Sequence, residues 1–354
     1  MADRVFVPGQ DDAAVLDLRA RVWGADHPHN DPAFFKWLFR DSPSGSGTGI
    51  VFEKDGRLIG FAGICARDAE MGDQMIRISH GLDFMVDPAV SGVLSGRVGV
   101  KVLQRHVEEA SEKGFDVNLN YPNANSHRML LSKRVKYDPV FTPDLFIRPL
   151  ASAFRGPGLS VARRAALGAG AIYARLRSIG IKSSAAIFEI DTFDSRFDAL
   201  WPRIKADGLL RFRRDAATLT WRFRQNPIYR YRILAAARNG RLDGFIVTSR
   251  REIFGLPTEL ICDLAVANDA RGTATELIHA ATKRAQRDGN ALLGAQANIF
   301  DQVCTSLARC GFIRVPQRFN PKPFRMIATA NTENGKLAMQ GNNWAFAWGD
   351  MDVV

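Results

Sequence analysis

HGLDFMVDPAVSGVLSGRVGVKVLQRHVEEASEKG, residues 80–114, is the stretch that decides the fold. Residues 81–86 are apolar and bounded by turn residues, which is typical of a buried strand, and Asp87-Pro88 ends it. Residues 91–96 are small and include two glycines, which predicts a loop. From Arg97 onward the apolar residues recur at helical spacing, and Gly114 stops the pattern. The stretch therefore predicts a strand, a glycine-bearing loop and a helix.

Such a strand–loop–helix unit is suited to binding an anion. The loop amides and the first free N–H groups of the helix point in one direction, and the helix dipole adds about half a positive charge there. Glycine lets a phosphate approach the backbone because no Cβ intervenes. A plain strand–turn–helix connection has the same pattern, so this stretch alone leaves both interpretations open.

A second copy of the pattern is LICDLAVANDARGTATELIHAATKRAQRDG, residues 260–289. Identical residues stand 180 positions apart in the two stretches: Asp83/Asp263, Val86/Val266 and Gly92/Gly272. Matches at nearly the same spacing continue on both sides: Asp31/Asp215, Trp37/Trp221, Phe39/Phe223, Arg40/Arg224, Pro43/Pro227, Gly56/Gly240, Gly60/Gly244, Gly114/Gly289 and Asn123/Asn298. So many matches in register indicate an internal duplication.

The composition is that of ordinary globular domains. Of 354 residues, 46% are hydrophobic and 24% are charged, and no uninterrupted apolar run is long enough to cross a membrane. The first residues lack the basic and apolar regions of a signal peptide, and the four cysteines show no zinc-binding spacing. We therefore expect a reduced, cytoplasmic chain of about two domains. The net charge of +11 favours anionic partners without choosing among nucleotides, nucleic acid and lipid headgroups.

Each half resembles the GNAT superfamily of acyl-CoA N-acyltransferases. The sequence VDPAVSGVLSG, residues 86–96, is similar to that family's V-x-P-x-x-R-G-x-G-x-G pyrophosphate loop. It has Ser91 in place of the usual Arg or Gln, and Leu94 in place of the middle glycine. The sequence NSHRMLLSKRVKY, residues 125–137, resembles the family's following Asn-x-x-Ala…Tyr-x-x-x-Gly-Phe segment, and Asn125 matches its Asn.

The second copy departs from the same pattern at other positions. It keeps Gly311-Phe312 but has Ala274 and Glu276 where loop glycines are usual. A glutamate aimed at a phosphate is electrostatically unfavourable. We therefore expect the cofactor site in the N-terminal half.

The resemblance implies an α/β fold with α+β mixed sheets, built from two GNAT-like domains in tandem. We predict a first domain over residues 1–150 and a second over residues 191–354. Residues 151–190 are predicted to form a basic connector with a helix over 160–178. That helix either packs on one domain or contacts a membrane surface or a large anionic substrate, and both interpretations stay open.

The resemblance also implies acetyl-CoA or another acyl-CoA as co-substrate, and no metal. The pyrophosphate is expected on residues 91–97, and the amide of Met85 or Val86 is expected to polarise the thioester carbonyl. The predicted cofactor-binding residues are Met85, Val86, Ser91, Gly92, Val93, Leu94, Ser95, Gly96, Arg97 and Asn125.

Three residues are predicted to be catalytic. Asp83 is the predicted general base because it would lie beside the thioester and because it recurs as Asp263, although a structural hydrogen-bonding role is equally open. Ser132 stands where a general-acid Tyr is usual in the family. Because Ser is a poor acid, Tyr121 or a water is the alternative.

The C-terminal sequence NNWAFAWGDMDVV suggests a substrate contact. Trp344, Phe346 and Trp348 alternate, which predicts a strand with one aromatic face. If the extended course continues, Asp350 and Asp352 lie on one side and are candidates for binding a substrate ammonium group. A polar strand end is the other interpretation.

The acceptor is expected to be a primary amine, on a small molecule or on a glycan precursor such as an amino sugar of the cell envelope. One alternative is Fem-like aminoacyl transfer from tRNA, and another is a non-catalytic binding protein. The arginine- and aromatic-rich segment 211–232 resembles single-stranded nucleic-acid binders. Residues 31–43 share its frame without the basic excess, so nucleic acid is the less favoured partner.

Overall fold

The chain forms two compact units. The computed structural model describes residues 2–153, 159–253, 255–270, 272–299, 301–320 and 323–351, the Asn125 side chain excepted. The first unit comprises residues 1–141, 225–228 and 324–343, and the second comprises residues 142–224, 229–323 and 344–354. Asp352 and the Asn125 side chain, both predicted to bind ligands, lie outside the described part.

The first unit is a sheet flanked by helices. Its strands are β1 (Ala2–Val5), β2 (Thr48–Lys54), β3 (Arg57–Met71), β4 (Gln74–Val86), β5 (Val117–Asn120) and β6 (Asp138–Phe141), together with β15 (Met326–Ala330) from much later in the chain. Its helices are α1 (Asp12–Trp23), α2 (Pro32–Phe39), α3 (Gly92–Glu112) and α4 (Ala124–Leu130).

The second unit has the same kind of architecture. Its strands are β7 (Asp144–Pro149), β8 (Ala186–Ile190), the two-residue β9 (Arg211–Phe212), β10 (Arg232–Arg238), β11 (Arg241–Ile253), β12 (Leu256–Val266), β13 (Leu292–Ala297) and β14 (Ile313–Arg314). Its helices are α5 (Val161–Arg177), α6 (Ser195–Ile204), α7 (Ala216–Leu219), α8 (Thr273–Arg287) and α9 (Val303–Arg309).

Seven strands in each sheet follow one order, and each sheet is completed by a strand from the other half of the sequence. The orders are β1-β2-β3-β4-β5-β15-β6 and β8-β10-β11-β12-β13-β7-β14. β15 pairs antiparallel with β5 and β6, while β7 pairs antiparallel with β13 and β14. The repeated order confirms the duplication and the mixed α/β class. The predicted domains 1–150 and 191–354 are continuous, so they do not include this exchange of strands. The hydrogen-bonding partners of a strand, and not its position in the sequence, decide which sheet it completes.

Two local predictions differ from the structure. The helix predicted from Arg97 begins at Gly92, so most of the expected loop forms the first turns of α3. The predicted C-terminal strand is wrong: Trp344 makes one isolated bridge to Leu210, and residues 348–350 form a 3-10 turn. The three aromatic side chains of that segment are all buried, so the segment is enclosed rather than exposing one polar face.

The helices pack their apolar faces on the two sheets. In the first unit Val98, Val102 and Leu103 of α3 join the core, and in the second unit Leu277 and Ile278 of α8 do the same. Within the described residues, no helix combines the length and the apolar character that a membrane span requires.

Candidate functional site

In the second unit, β12 and β13 separate towards their C-terminal ends. They pair in parallel only over residues 258–261 and 292–295, after which both strands continue. Cys262 is an extra residue on β12 between the pairs made by its neighbours with β11, which is a bulge that bends the strand. The separation and the bend open a cleft between the two strands.

The cleft has a wide outer cavity and a small inner end. The outer cavity has a volume of about 480 Å³ and lies between the β12–α8 connection and α9. The inner cavity of about 20 Å³ has room for about one water molecule. The two meet, because the same side chains line both: Arg211, Leu264, Asp301 and Val303.

Larger side chains lie in the corresponding region of the first unit. Phe84 reaches α3, where a Cβ on Gly99 would lie 3.2 Å from its ring. Leu94 packs against the core of that unit beside Phe84. The second copy has Leu264 and Ala274 at these two positions, and both line the outer cavity.

At the inner end of the cleft, too, the first copy has the larger side chain. In the first unit the Asn120 side chain lies between β4 and β5, so close to Gly81 that a Cβ there would collide with Asn120 Oδ1. Ala295 replaces Asn120 in the second copy and lines the inner cavity. Smaller side chains at matched positions therefore open the cleft in the second unit.

The N-terminus of α8 lies at the edge of the outer cavity. Gly272 precedes the helix with a φ of 83°, a left-handed conformation that favours glycine, and Gly92 has a φ of 62° at the matching position of the first unit. The first N–H groups of a helix have no intrahelical acceptor and carry its positive dipole end. Gly272 and Ala274 line the cavity, so this helix end can meet an anion placed in it.

The sequence of this connection contains a signal that the sequence-based choice of the N-terminal half overlooked. Arg271-Gly272 matches the Arg-Gly of the family's loop pattern, whereas the first copy has Ser91-Gly92. Arg271 itself lies outside the described residues.

The sequence-based objection to the second copy rested on Glu276 and is wrong for this geometry. Its carboxylate accepts hydrogen bonds from the Ala185 amide at 2.9 Å and from the Ser183 hydroxyl at 3.0 Å, and it pairs with Arg238 at 2.7 Å. Burial by itself raises the pKa of Glu276, but these donors and the Arg238 charge hold that pKa below its usual range. The charge is neutralised and directed at residues 183–185.

The turn that precedes residues 91–97 in the first unit is held by its own groups. The Asp87 carboxylate accepts the Ala89 amide at 2.9 Å and pairs with Arg21 at 2.9 Å, and the Val90 amide donates to the Asp87 carbonyl at 2.9 Å. Of the remaining predicted residues, 92–97 form the start of α3, and Val93 is 74% exposed.

Strand register identifies the backbone amides that face the cleft. The Ala267 amide donates to the Asp243 carbonyl at 2.8 Å, on the β11 side. Because alternate residues of an antiparallel pair bond the same neighbour, the Val266 amide faces the other way, towards the separated strand β13. The same alternation in β4 directs the amide of Val86, and not that of Met85, towards β5.

The three predicted catalytic residues lie in the first unit. Asp83 has a φ of 53° in β4, and its carboxylate pairs with the buried Arg19, whose Nε is 3.0 Å away. The Tyr121 ring contacts that of His80, with 5.4 Å between centroids. Ser132 follows α4, and its Oγ is buried. The ion pair of Asp83 agrees with the structural role that the sequence left open.

Asp263, the counterpart of Asp83, also pairs with a buried arginine. Arg214 Nε lies 2.9 Å from Asp263 Oδ2, and Arg214 Nη2 lies 2.6 Å from Asp350 Oδ1. All three side chains are buried, and Asp350 also accepts the Ala347 amide at 2.9 Å. Burial raises the pKa of Asp263, the Arg214 charge opposes that rise, and the Asp350 charge adds to it. Asp350 is therefore part of an interior charge cluster, not an exposed substrate contact.

Asp301 is a buried carboxylate of the cleft that sequence reasoning missed. Its Oδ1 accepts the Val303 amide at 2.9 Å, and its Oδ2 lies 3.7 Å from Arg211 Nη1. Burial raises the pKa of Asp301, against the Arg211 charge. No repeated carboxylate marked it, because at the spacing of 175 that relates Asn123 to Asn298 the residue matching Asp301 in the first copy is Ser126. Nearby, Gln296 Oε1 lines the inner cavity and has no hydrogen-bond partner within the described part of the chain.

The arginines of the basic segment 211–232 are largely used inside the protein. The contacts are Arg211 with Asp207, Arg213 with Asp215, Arg214 with Asp263 and Asp350, and Arg222 with the Gly349 carbonyl. Their pattern in the sequence reflects ion pairing, and it gives no support to a nucleic-acid surface.

The cleft offers neither a reactive thiol nor a metal site among the residues described. Burial raises the pKa of Cys304, on α9, to about 12, so the thiol stays protonated at neutral pH. Among the described residues, His, Cys, Asp and Glu side chains form no group of three or more that could hold a metal ion.

Comparison with known proteins places this architecture in one fold class. No family model and no curated protein sequence matches the chain. Among solved structures, a GCN5-related N-acetyltransferase from Anabaena variabilis ATCC 29413 matches with a TM-score of 0.65 and 10% identity, over 96% of this chain and 75% of that one. A GCN5-related N-acetyltransferase from Kribbella flavida matches with a TM-score of 0.61 and 16% identity, over 96% and 74%.

A third match comes from a eukaryotic enzyme. Saccharomyces cerevisiae N-myristoyltransferase, solved with bound myristoyl-CoA, matches with a TM-score of 0.53 and 12% identity, over 93% of this chain and 79% of that one. The chain therefore has the GNAT fold, with two such units in tandem.

Proposed function

We propose that the protein is an acyl-CoA-dependent N-acyltransferase whose co-substrate binds in the cleft between β12 and β13 of the second unit. The observation that carries this proposal is the open cleft of about 480 Å³ beside the N-terminus of α8. The fold neighbours include N-acetyltransferases and an enzyme solved with an acyl-CoA, which supports the class of reaction. This assignment moves the site from the N-terminal half, where we expected it from the loop glycines.

The residues of the cleft fit the parts of an acyl-CoA. The N-terminal end of α8, next to Gly272 and Ala274, suits a pyrophosphate because it carries the positive end of the helix dipole. The outer cavity between β12 and α9, with Leu264 and Val303 on its walls, suits an extended pantetheine arm. The Val266 amide faces the cleft, where it would polarise a thioester carbonyl.

The chain also supplies a group that can accept the proton that the acceptor amine must lose. When an amine attacks a thioester, the C–N bond forms, the C–S bond breaks, and a proton passes from nitrogen towards the sulfur. Asp301 is our proposed general base, because it lies between the outer and inner cavities and because burial raises its pKa towards the working range. The Gln296 amide oxygen and the Asp301 carboxylate, which line the inner end beside Arg211 and Arg214, can accept hydrogen bonds from the acceptor amine.

Ala274→Glu is expected to weaken acetyl-CoA binding by at least about thirtyfold. The substitution places a carboxylate and extra volume at the cavity wall, beside the helix end that would hold the pyrophosphate. Isothermal titration calorimetry of the full chain measures the effect. Gly96→Glu is the matched control, because it adds the same group to the first turns of α3, where nothing lies within 4 Å of the new Cβ. Binding lost in Gly96→Glu and kept in Ala274→Glu would return the site to the first unit.

Asp301→Asn is expected to lower kcat by about 10²–10³-fold with little change in KM for the acyl-CoA. Asparagine can still accept the Val303 amide, so the start of α9 is preserved. Because the pKa of Asp301 is raised, the wild-type rate should fall on the acidic side at a higher pH than an ordinary Asp would give, and the variant should lose this limb. A kcat within threefold of wild type would exclude Asp301 as the base.

The identities of the acceptor and of the acyl group are more detailed proposals. We propose a primary amine, with amino sugars and envelope precursors the first compounds to assay, and acetyl before longer acyl groups. A tRNA-dependent transferase would instead show salt-sensitive tRNA binding, and a non-catalytic protein would bind CoA without turnover with any amine of the panel.

A further inference from the structure

The outward face of α5 is apolar, which is unusual for a helix at a protein surface. Val161, Ile172 and Leu176 are 85%, 64% and 61% exposed, and Ile179 just beyond the helix is 66% exposed. These residues recur at intervals that place them on one side of the helix, over a length of about 25 Å. Contiguous exposed apolar surface of this kind marks an interaction site.

The opposite face of α5 holds the helix on its own unit. Gly170 and Ala174 are buried, and a Cβ on Gly170 would lie 2.9 Å from Pro149 of β7. The small residues let the helix lie close to the sheet. The large apolar residues are therefore not needed for packing and are directed away from the core.

Basic residues flank the exposed apolar residues, and no acidic residue accompanies them. Arg164 and Arg175 lie along one edge of the apolar side, and Arg177 and Lys182 follow near the C-terminal end of the helix. The sequence contains no Asp or Glu from residue 145 to residue 188. The combination of an exposed apolar side and basic flanks is the pattern of a helix that lies in the plane of an anionic membrane surface.

A groove beside the helix has the same chemistry. A cavity of about 570 Å³ lies between α5 and α8, with Ile172 and Ile179 on one side and Lys283 on the other. Arg175 also lines it. The groove thus offers apolar surface to a lipid chain and cations to a phosphate headgroup.

We propose that α5 is a docking surface for an anionic phospholipid membrane, with Ile172, Leu176 and Ile179 entering the interface and the flanking arginines contacting the headgroups. A second copy of this chain fits less well, because two such helices would bring their positive charges together. The proposal is independent of the acyl-CoA assignment, since it rests on another surface.

Sedimentation of the 354-residue chain with lipid vesicles tests the proposal. We expect at least tenfold stronger binding to vesicles containing about one third phosphatidylglycerol than to pure phosphatidylcholine, with a marked loss at high salt. Ile172→Glu/Leu176→Glu should lower the binding at least tenfold, and Arg164→Gln/Arg175→Gln about tenfold. All these side chains are exposed, so the fold should be retained, which circular dichroism verifies.

Met75→Glu/Phe319→Glu is the matched control. It adds the same two charges at apolar residues that are 51% and 60% exposed outside α5, and it should bind anionic vesicles nearly as well as wild type. Equal recovery of the wild type with neutral and anionic vesicles would overturn the proposal. So would wild-type binding by the Ile172→Glu/Leu176→Glu variant, or a dimer that this variant dissociates in the absence of vesicles.

Discussion

A fragment of residues 2–142 is expected to remain unfolded, whereas the same fragment joined by a loop of about four residues to residues 325–343 is expected to fold. The reason is the strand exchange. In the first sheet β15 lies between β5 and β6 and pairs with both, so the fragment without it leaves two strand edges open inside the sheet. Open edges and unsatisfied backbone groups at that place are too costly for a domain of ordinary stability.

Side-chain burial adds to the loss. Met326, Ile327 and Ala328 of β15 are buried, and Ile327 packs in the core that also contains Val102 of α3. The loop can be short, because Met326 stands opposite Phe141, the last residue of β6. Far-UV circular dichroism and urea unfolding report the outcome: no cooperative transition for the fragment alone, and a single transition for the joined form.

The fragment ends before β7 for a physical reason. β7 occupies in the second sheet the place that β15 occupies in the first, and only residues 142–143 separate it from β6. A fragment that kept β7 could therefore fold back and pair it with its own sheet. Cooperative unfolding of residues 2–142 alone would show that β15 is not required for the first unit.

The sequence contained enough information for the duplicated fold but not for the exchange. The matched residues of the two copies predicted the duplication, and the resemblance of each half to the GNAT superfamily implied the tandem mixed sheets that the structure confirms. β7 and β15 have equivalent places in their sheets, so the local sequence of either strand does not show which of the two sheets it joins. Only the tertiary pairing decides this.

A residue-by-residue comparison of the two copies favours a cofactor site in the second half, whereas the loop glycines favoured the first half. The aligned pairs Phe84/Leu264, Leu94/Ala274 and Asn120/Ala295 each become smaller in the second copy, and together they open the cleft there. Glu276 was misjudged, because a one-dimensional pattern does not show that Arg238 and residues 183–185 bind its carboxylate. Asp301 was not marked, because the matching residue of the first copy is Ser126 and not a carboxylate.

Arg214→Met is expected to destabilise the protein by about 3–5 kcal/mol at pH 7. Arg214 is the cation between two buried carboxylates, Asp263 and Asp350, and removing it leaves both buried without that charge. Methionine is unbranched and fills much of the same volume, so the loss reports charge rather than a cavity. Urea unfolding followed by circular dichroism gives the free energy of unfolding.

The matched control is the neighbouring residue. Arg213 pairs with Asp215 at 2.6 Å, but its side chain is 36% exposed, so Arg213→Met should cost less than about 1 kcal/mol. Equal losses of unfolding free energy in Arg214→Met and Arg213→Met would show that removing the buried cation costs no more than removing the more exposed one.

The pH dependence supplies an independent check of the same cluster. The pKa of Asp263 is already raised in the folded wild type, and removing Arg214 raises it further. At a pH above the ordinary pKa of Asp, Asp263 is deprotonated in the unfolded chain but still protonated in the folded Arg214→Met variant. The stability of the variant therefore falls as the pH rises from the ordinary pKa to the raised one. The penalty of Arg214→Met should therefore shrink between pH 7 and pH 5, and Asp263→Asn in the same chain should recover part of it at pH 7. A penalty that does not change with pH would contradict the assignment of the loss to buried carboxylate charge.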